Sequence, residues 1–100
     1  MELTKNQRAF LRKRAHDLKP VVQIGKNGMT ERLIDSANLA LDAHELIKIK
    51  FLDFQDQKHE YAEQLAAMLD GELITVIGNI AVMYRQQPDR ERRKIELPAG

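Results

Sequence analysis

Between Pro20 and Arg85 the apolar residues change period several times, and that switching restricts the chain to helices interleaved with short strands. The clearest strand is Leu46 to Leu52, where Ile47, Ile49 and Phe51 point one way and Lys48 and Lys50 the other. Helical spacing surrounds it. Thr4 and Gln7 make a capping box for a first helix from Lys5 to about Asp17, packed through Leu3, Phe10, Leu11, Ala15 and Leu18. Pro20 bars its continuation, and Val21–Ile24 reads as a strand. After Gly25-Lys26-Asn27-Gly28-Met29, Thr30 is an N-cap for a helix from about Glu31 to Ala43 carrying Leu33, Ile34, Ala37, Leu41 and His44 on its packing face. Asp53 or Asp56 caps a third helix, with Tyr61, Ala62, Leu65, Ala66 and Leu69 buried and Gly71 as its left-handed terminator. Strands near Glu72–Ile77 and Ile80–Arg85 follow, joined at Gly78-Asn79 by a tight turn with positive φ.

The resulting order, α-β-α-β-α-β-β, predicts a mixed four-stranded sheet in an α/β sandwich, with helices on at least one face. Leu73–Ile77 is apolar almost throughout, which predicts an interior strand. Residues 1–86 read as one domain. Residues 87–100 read as a basic, mobile tail, in which Ile95 and Leu97 could add a short edge strand.

Cysteine is absent, which excludes a disulfide framework, thiolate metal ligands and a cysteine nucleophile together. No apolar run approaches the ~20 residues a membrane span needs, and the first twenty residues are charged throughout. A cytoplasmic location is the expectation. The net charge of +1 hides a division: residues 1–33 carry +5, residues 34–84 carry −6, and residues 85–100 carry +2. Basic ends around an acidic middle point to a polyanion partner, although solvated helix faces would give the same split.

The chemistry centres on Gly25-Lys26-Asn27-Gly28. A loop that passes from a strand into a helix directs backbone N–H groups outward, with the positive end of the helix dipole behind them. Glycines permit positive φ and close approach of a phosphate. Lys26 adds a charge and Asn27 a donor. The pattern is short and common, and taken alone it is more often a turn than a site. Neither longer nucleotide-binding glycine motif is present. Around the loop lie Lys19, Arg32 and, on the first helix, Arg8, Arg12 and Lys13. Tyr84-Arg85 offers a ring beside a cation or a packed edge residue. The Arg90–Lys94 stretch reads as an RNA contact or a solubilising terminus. Catalysis finds little support: His16, His44 and His59 are scattered, His44-Glu45 lacks the second histidine of a zinc motif, and Ser36 has no base at a recognisable spacing. His16 and His44 read as residues near helix ends. No enzyme, cofactor, metal or small-molecule substrate is expected.

Several motifs in order, Leu11-Arg12 with Ala15-His16, Leu18 and Pro20, then Ile24-Gly25 with Gly28 and Thr30, then His44-Glu45-Leu46-Ile47-Lys48-Ile49-Lys50, then Val76-Ile77-Gly78, Tyr84-Arg85 and Ile95 with Leu97-Pro98, resemble the CRM-domain (YhbY-like) family over nearly the entire chain. The resemblance implies a fold similar to the C-terminal domain of bacterial translation initiation factor 3. It implies RNA binding, and for a stand-alone bacterial member a role in assembling the large ribosomal subunit on its ribosomal RNA. Relatives in plant organelles act in intron splicing; the length favours the bacterial type. The family's glycine loop, compared with that of KH domains, maps onto Gly25, Lys26, Asn27 and Gly28, although here it joins a strand to a helix. Arg14 departs from the pattern, which has an apolar residue before Ala15-His16. The expected interface is therefore those four loop residues with Arg8, Arg12, Lys13, Lys19, Arg32 and Arg85, and contacts with ribosomal proteins are also expected. The alternative is a protein-interaction module docking a ribosomal protein or assembly factor through its acidic middle.

Overall fold

The computed structural model describes residues 1–100. Its helices are α1 (Lys5–Ala15), α2 (Glu31–His44) and α3 (Lys58–Met68), and its strands are β1 (Val22–Ile24), β2 (Leu46–Phe51), β3 (Glu72–Ile77) and β4 (Ile80–Tyr84). The strands form one mixed sheet in the order β1-β2-β4-β3, with β1 parallel to β2 and the other pairs antiparallel. The predicted order and mixed sheet are both present.

Both faces of the sheet are covered. On one, α2 and α3 pack Leu33, Ala37, Leu41, Ala62 and Leu65 against Val22, Ile24, Ile47, Ile49, Phe51, Ala81 and Met83. On the other, Leu11 and Ala15 of α1 join Leu46, Ile74, Val82, Tyr84 and Ile95. Leu11 is fully buried, a burial that contributes roughly 2 kcal/mol. The capping box at Thr4 and Gln7 forms in both directions, at 3.1 and 3.0 Å.

Four local expectations are corrected. α1 ends at Ala15, two residues before the predicted Asp17. β3 is an edge strand, not an interior one: its apolar run leaves Ile77 two-thirds exposed, while β2 and β4 occupy the centre. Neither Asp53 nor Asp56 caps α3, which is entered through a 3₁₀ turn at Gln55–Gln57 with no side-chain cap. Asp70 (φ 55), not Gly71, takes the left-handed position after α3, and the Gly71 N–H then closes on the Ala66 carbonyl at 2.8 Å.

Residues 87–100 do not form the loose tail expected from their polarity. Glu45, buried and held at φ 64, accepts the N–H of Gln87 on one carboxylate oxygen and those of Lys94 and Ile95 on the other, at 2.9, 2.6 and 2.9 Å. Ile95 is buried, and the Gln7 side chain donates to the Pro98 carbonyl at 3.0 Å. Gln87 donates to Asp42, and that bond, with Arg92 close by, holds the Asp42 carboxyl below its usual range.

Tyr84 is fully buried, and its hydroxyl makes no hydrogen bond of good geometry, the Gln86 side chain beside it being only a weak partner. Burial, with the Glu45 carboxylate as a second cause, pushes the phenol up to about 12. The unfolded phenol, near 10, therefore ionises first, and stability should fall as pH rises from that value through the folded one. Tyr84→Phe is expected to remove that alkaline loss and to raise stability at neutral pH by about 1 kcal/mol, because an unpaired buried hydroxyl disappears. Urea unfolding across alkaline pH checks both.

Candidate nucleic-acid interface

The glycine loop is set by β1 and by the turn that follows it. Ile24, the last residue of β1, accepts the N–H groups of Leu52 and Asp53, which ties the strand end to the exit of β2. Gly28 N–H closes on the Gly25 carbonyl at 3.0 Å, so residues 25–28 form a β-turn. Gly28 lies at φ +68, and an added Cβ would stand 3.3 Å from the Phe54 ring. That ring packs on Tyr61 with centroids 5.4 Å apart, so the β2–α3 connection is the seat of the loop. Gly25 differs: it lacks a left-handed φ, and no atom lies within 4 Å of where its Cβ would be. Of the two glycines, Gly28 alone uses the positive φ that glycine permits. Nothing in the fold requires glycine at 25.

The backbone N–H groups of Lys26 and Asn27 find no backbone acceptor within the protein. Thr30 caps α2 by accepting the Leu33 N–H at 3.1 Å. The N–H groups of Glu31 and Arg32, in the first turn of α2, have no partner within the helix by its geometry. The turn and this helix start together line an open groove of about 460 Å³ whose walls include Gly25, Lys26, Asn27, Gly28 and Arg32. Its cations are exposed and form no ion pair. Glu31 is the one acid in the first turn of α2. The groove can hold an anion through backbone donors, the helix dipole and two mobile charges.

The remaining expected residues separate into two groups. Arg12, Lys13 and Lys19 are exposed and unpaired, in the last turn of α1 or just beyond it. The end of α1 is held over β2, where Lys48 Nζ donates to the His16 carbonyl at 3.3 Å, next to the edge strand that carries the glycine loop. Arg8 and Arg85 lie elsewhere. Arg8 donates to the Leu73 carbonyl at 3.0 Å and pairs with Glu72 at 3.6 Å. Arg85 donates to Asn38 and to the Leu69 carbonyl, at 2.7 to 3.0 Å. Both are at the end of the sheet where Leu46 meets Tyr84 and Glu72, whereas the glycine loop follows Ile24 at the Phe51 end. Those ends are roughly 17 Å apart along β2. The two arginines tie parts of the fold together, and of the two readings offered for Tyr84, stacking ring or packed residue, its burial fits the packed one.

Sequence reasoning passed over Lys50. It is exposed, pairs in register with Gln23 on β1, and shares the α1 face with Lys48 beyond the cover of α1. The signal was the alternation Ile47-Lys48-Ile49-Lys50 itself, which gave the buried face but not the use of the other. Among the acids, Glu72 is paired with Arg8 and the N-terminal amine, and Asp42 with Arg92. There is no group of acidic or histidine side chains spaced to hold a metal, and no helix is long and apolar enough to cross a membrane.

Comparison with known proteins gives one consistent answer. A model of the CRS1/YhbY (CRM) domain matches residues 3–85. The probable RNA-binding protein YqeI of Bacillus subtilis is 39% identical over 96% of this chain and 99% of its own length. An RNA-binding protein of Haemophilus influenzae is 36% identical over 96% of this chain and 95% of its own. The solution structure of the hypothetical protein SAV1595 from Staphylococcus aureus superposes with a TM-score of 0.80 at 40% identity, covering 97% of this chain and all of that one.

Proposed function

The chain belongs to the CRS1/YhbY (CRM) domain family, and from that membership we propose that it binds RNA, holding backbone phosphates at the glycine loop. The observation that carries the reading is the turn at Gly25–Gly28. Its free Lys26 and Asn27 N–H groups share a groove with the start of α2 and with the unpaired cations Lys26 and Arg32. Relatives named as RNA-binding proteins support the ligand class. Arg12, Lys13, Lys19 and Lys50 extend the footprint, while Arg8 and Arg85 drop out of it. Such contacts give affinity, register and salt dependence and carry little base information. No step of this reading needs a catalytic group, a metal or a cofactor. At the finer level, the RNA is ribosomal RNA of the large-subunit precursor and the role is assembly of that subunit in the cytoplasm.

Fluorescence anisotropy with large-subunit ribosomal RNA fragments across a salt series tests the binding. We expect affinity to fall steeply with salt. No binding at low salt sinks the reading. Lys26→Ala is expected to lower the slope of log K against log salt by about one contact, ~0.7–0.9. Arg85→Ala, as a control, should reduce stability and leave that slope unchanged. Crosslinking in cells followed by sequencing tests the assembly role: the expected crosslinks lie in precursor large-subunit RNA, and their absence there removes it.

A further inference from the structure

We infer that a second, apolar pocket beside the glycine groove takes one unpaired base of the RNA whose phosphates that groove holds. The inference rests on the RNA-binding reading and adds to it a source of base contact. The pocket arises from a mismatch in strand length. β1 pairs only with Ile49–Phe51, so the first half of β2 has no strand beside it on that side. Leu18, Lys19 and Val21, between α1 and β1, border a half-open hollow there of about 360 Å³, near the lower end of the ~300–1,000 Å³ of small-ligand sites. A flat ring fits such a space better than the face of a helix.

Its lining is apolar and its rim cationic. Leu18, Val21, Leu46, Ile47 and Ile95 form the floor and walls, and Leu18 and Val21 are 38% and 53% exposed. Arg14, Lys19, His44 and Lys94 surround them, with no acid among the lining residues and no ion pair to occupy the cations. Arg14 stands at the rim, where its guanidinium reaches only the Lys94 carbonyl at 3.5 Å. Apolar surface bordered by three cations, Arg14, Lys19 and Lys94, matches a nucleotide, whose ring is flat and poorly hydrated and whose phosphates stay outside.

Two features favour a base over an acidic peptide. Val21, the residue before β1, lines both this pocket and the glycine groove, so the two lie side by side. The backbone also supplies polar groups. Along β2, the Glu45 carbonyl and Phe51 N–H bond toward β4, while the Lys48 carbonyl and Leu52 N–H bond toward β1. By that alternation the N–H and carbonyl of Leu46 are directed to the side where β1 has ended, with no strand residue opposite. One donor and one acceptor at the floor suit the edge of a base.

The test uses the full chain and two probes. Methyl NMR titration with adenosine 5′-monophosphate should shift Leu18, Val21 and Ile47, and ribose 5-phosphate should not. A single-stranded RNA oligomer should bind at least tenfold more tightly than the same oligomer with abasic sites. A Leu18→Ser variant, which lies outside the glycine groove, should lose that preference and keep the salt slope. Equal binding of both oligomers by wild type, with a normal salt slope, overturns the base pocket and leaves the phosphate reading standing. So does a preference that survives in the Leu18→Ser variant. Methyl shifts caused by a Glu- and Leu-rich peptide and not by the nucleotide overturn it in favour of a protein partner. Failure of wild type to bind either oligomer at low salt removes both readings.

Discussion

Glu45→Ala is expected to cost about 3 kcal/mol or more and to free residues 87–100 from the domain. Glu45 follows α2 directly, and its buried carboxylate is the sole acceptor seen for three backbone N–H groups, those of Gln87, Lys94 and Ile95. Bonds from backbone donors to a carboxylate are charge-assisted and worth more than neutral ones. Without the side chain, those donors must stay dry and unpaired or leave for water. Release of the segment exposes Ile95 and uncovers the Tyr84 side of the core, and that exposure sets the size of the loss. Glu45→Gln should lose less than Ala, because one oxygen remains, although its amide nitrogen then faces an N–H. Glu45 also sits at φ 64, so Glu45→Gly should recover about 1 kcal/mol relative to Ala by relieving the left-handed backbone. Urea unfolding gives the free energies, and amide exchange at Gln87, Lys94 and Ile95 locates the change. An Ala variant of wild-type stability with those amides still protected would contradict the assignment. Because Ile95 walls the apolar pocket, the same variant should also weaken the preference for base-containing RNA.

The role of Glu45 was hidden from sequence reasoning for a definite reason. A lone glutamate between a helix and a strand carries no periodic signal, and its three partners lie more than forty residues downstream. The polarity of residues 86–94 suggested solvent, whereas the fold uses their backbone as donors. Elements with a local cause were legible: the capping box at Thr4, the Thr30 cap, the alternation of β2 and the turn at Gly78 all form. Sheet order was not legible. An apolar run such as Leu73–Ile77 suits a central strand or an edge strand with a packed inner face, and only the pairing decides. The site followed the same division. The loop and Arg32 are neighbours in sequence and meet in one groove, while Arg8, included as part of the first helix, and Arg85, included beside Tyr84, are bound at the far end of the sheet. Charge counted along a chain does not distinguish a free cation from one already spent on a carbonyl.

Gly25→Asp is expected to keep the fold and to weaken RNA binding by about tenfold or more, or ~1.4 kcal/mol. The position separates the two demands that the loop makes on glycine. At Gly28 the backbone is left-handed and the Phe54 ring stands where a Cβ would go. Gly28→Asp should therefore cost about 1–2 kcal/mol of stability, and weaker binding by that variant would not by itself report on phosphate. At Gly25 the space is open and the φ is not left-handed, so a change in stability should stay within about 0.5 kcal/mol, as for other surface substitutions. A carboxylate there would stand beside the free N–H groups of Lys26 and Asn27, occupy them as an internal anion and repel the phosphate they would otherwise meet. Gly25→Ala, which adds bulk without charge, should lose only a few-fold. The graded series from Gly to Ala to Asp thus separates steric approach from charge. Thermal unfolding establishes the fold of each variant, and anisotropy gives its affinity. Should folded Gly25→Asp bind RNA as wild type does, the phosphate is not at the loop. The unpaired cations of the α1 side, Lys50 and Arg12 first, would then be the contact to test, because they are exposed and Lys50 stands beside Gln23 on the strand that carries the loop.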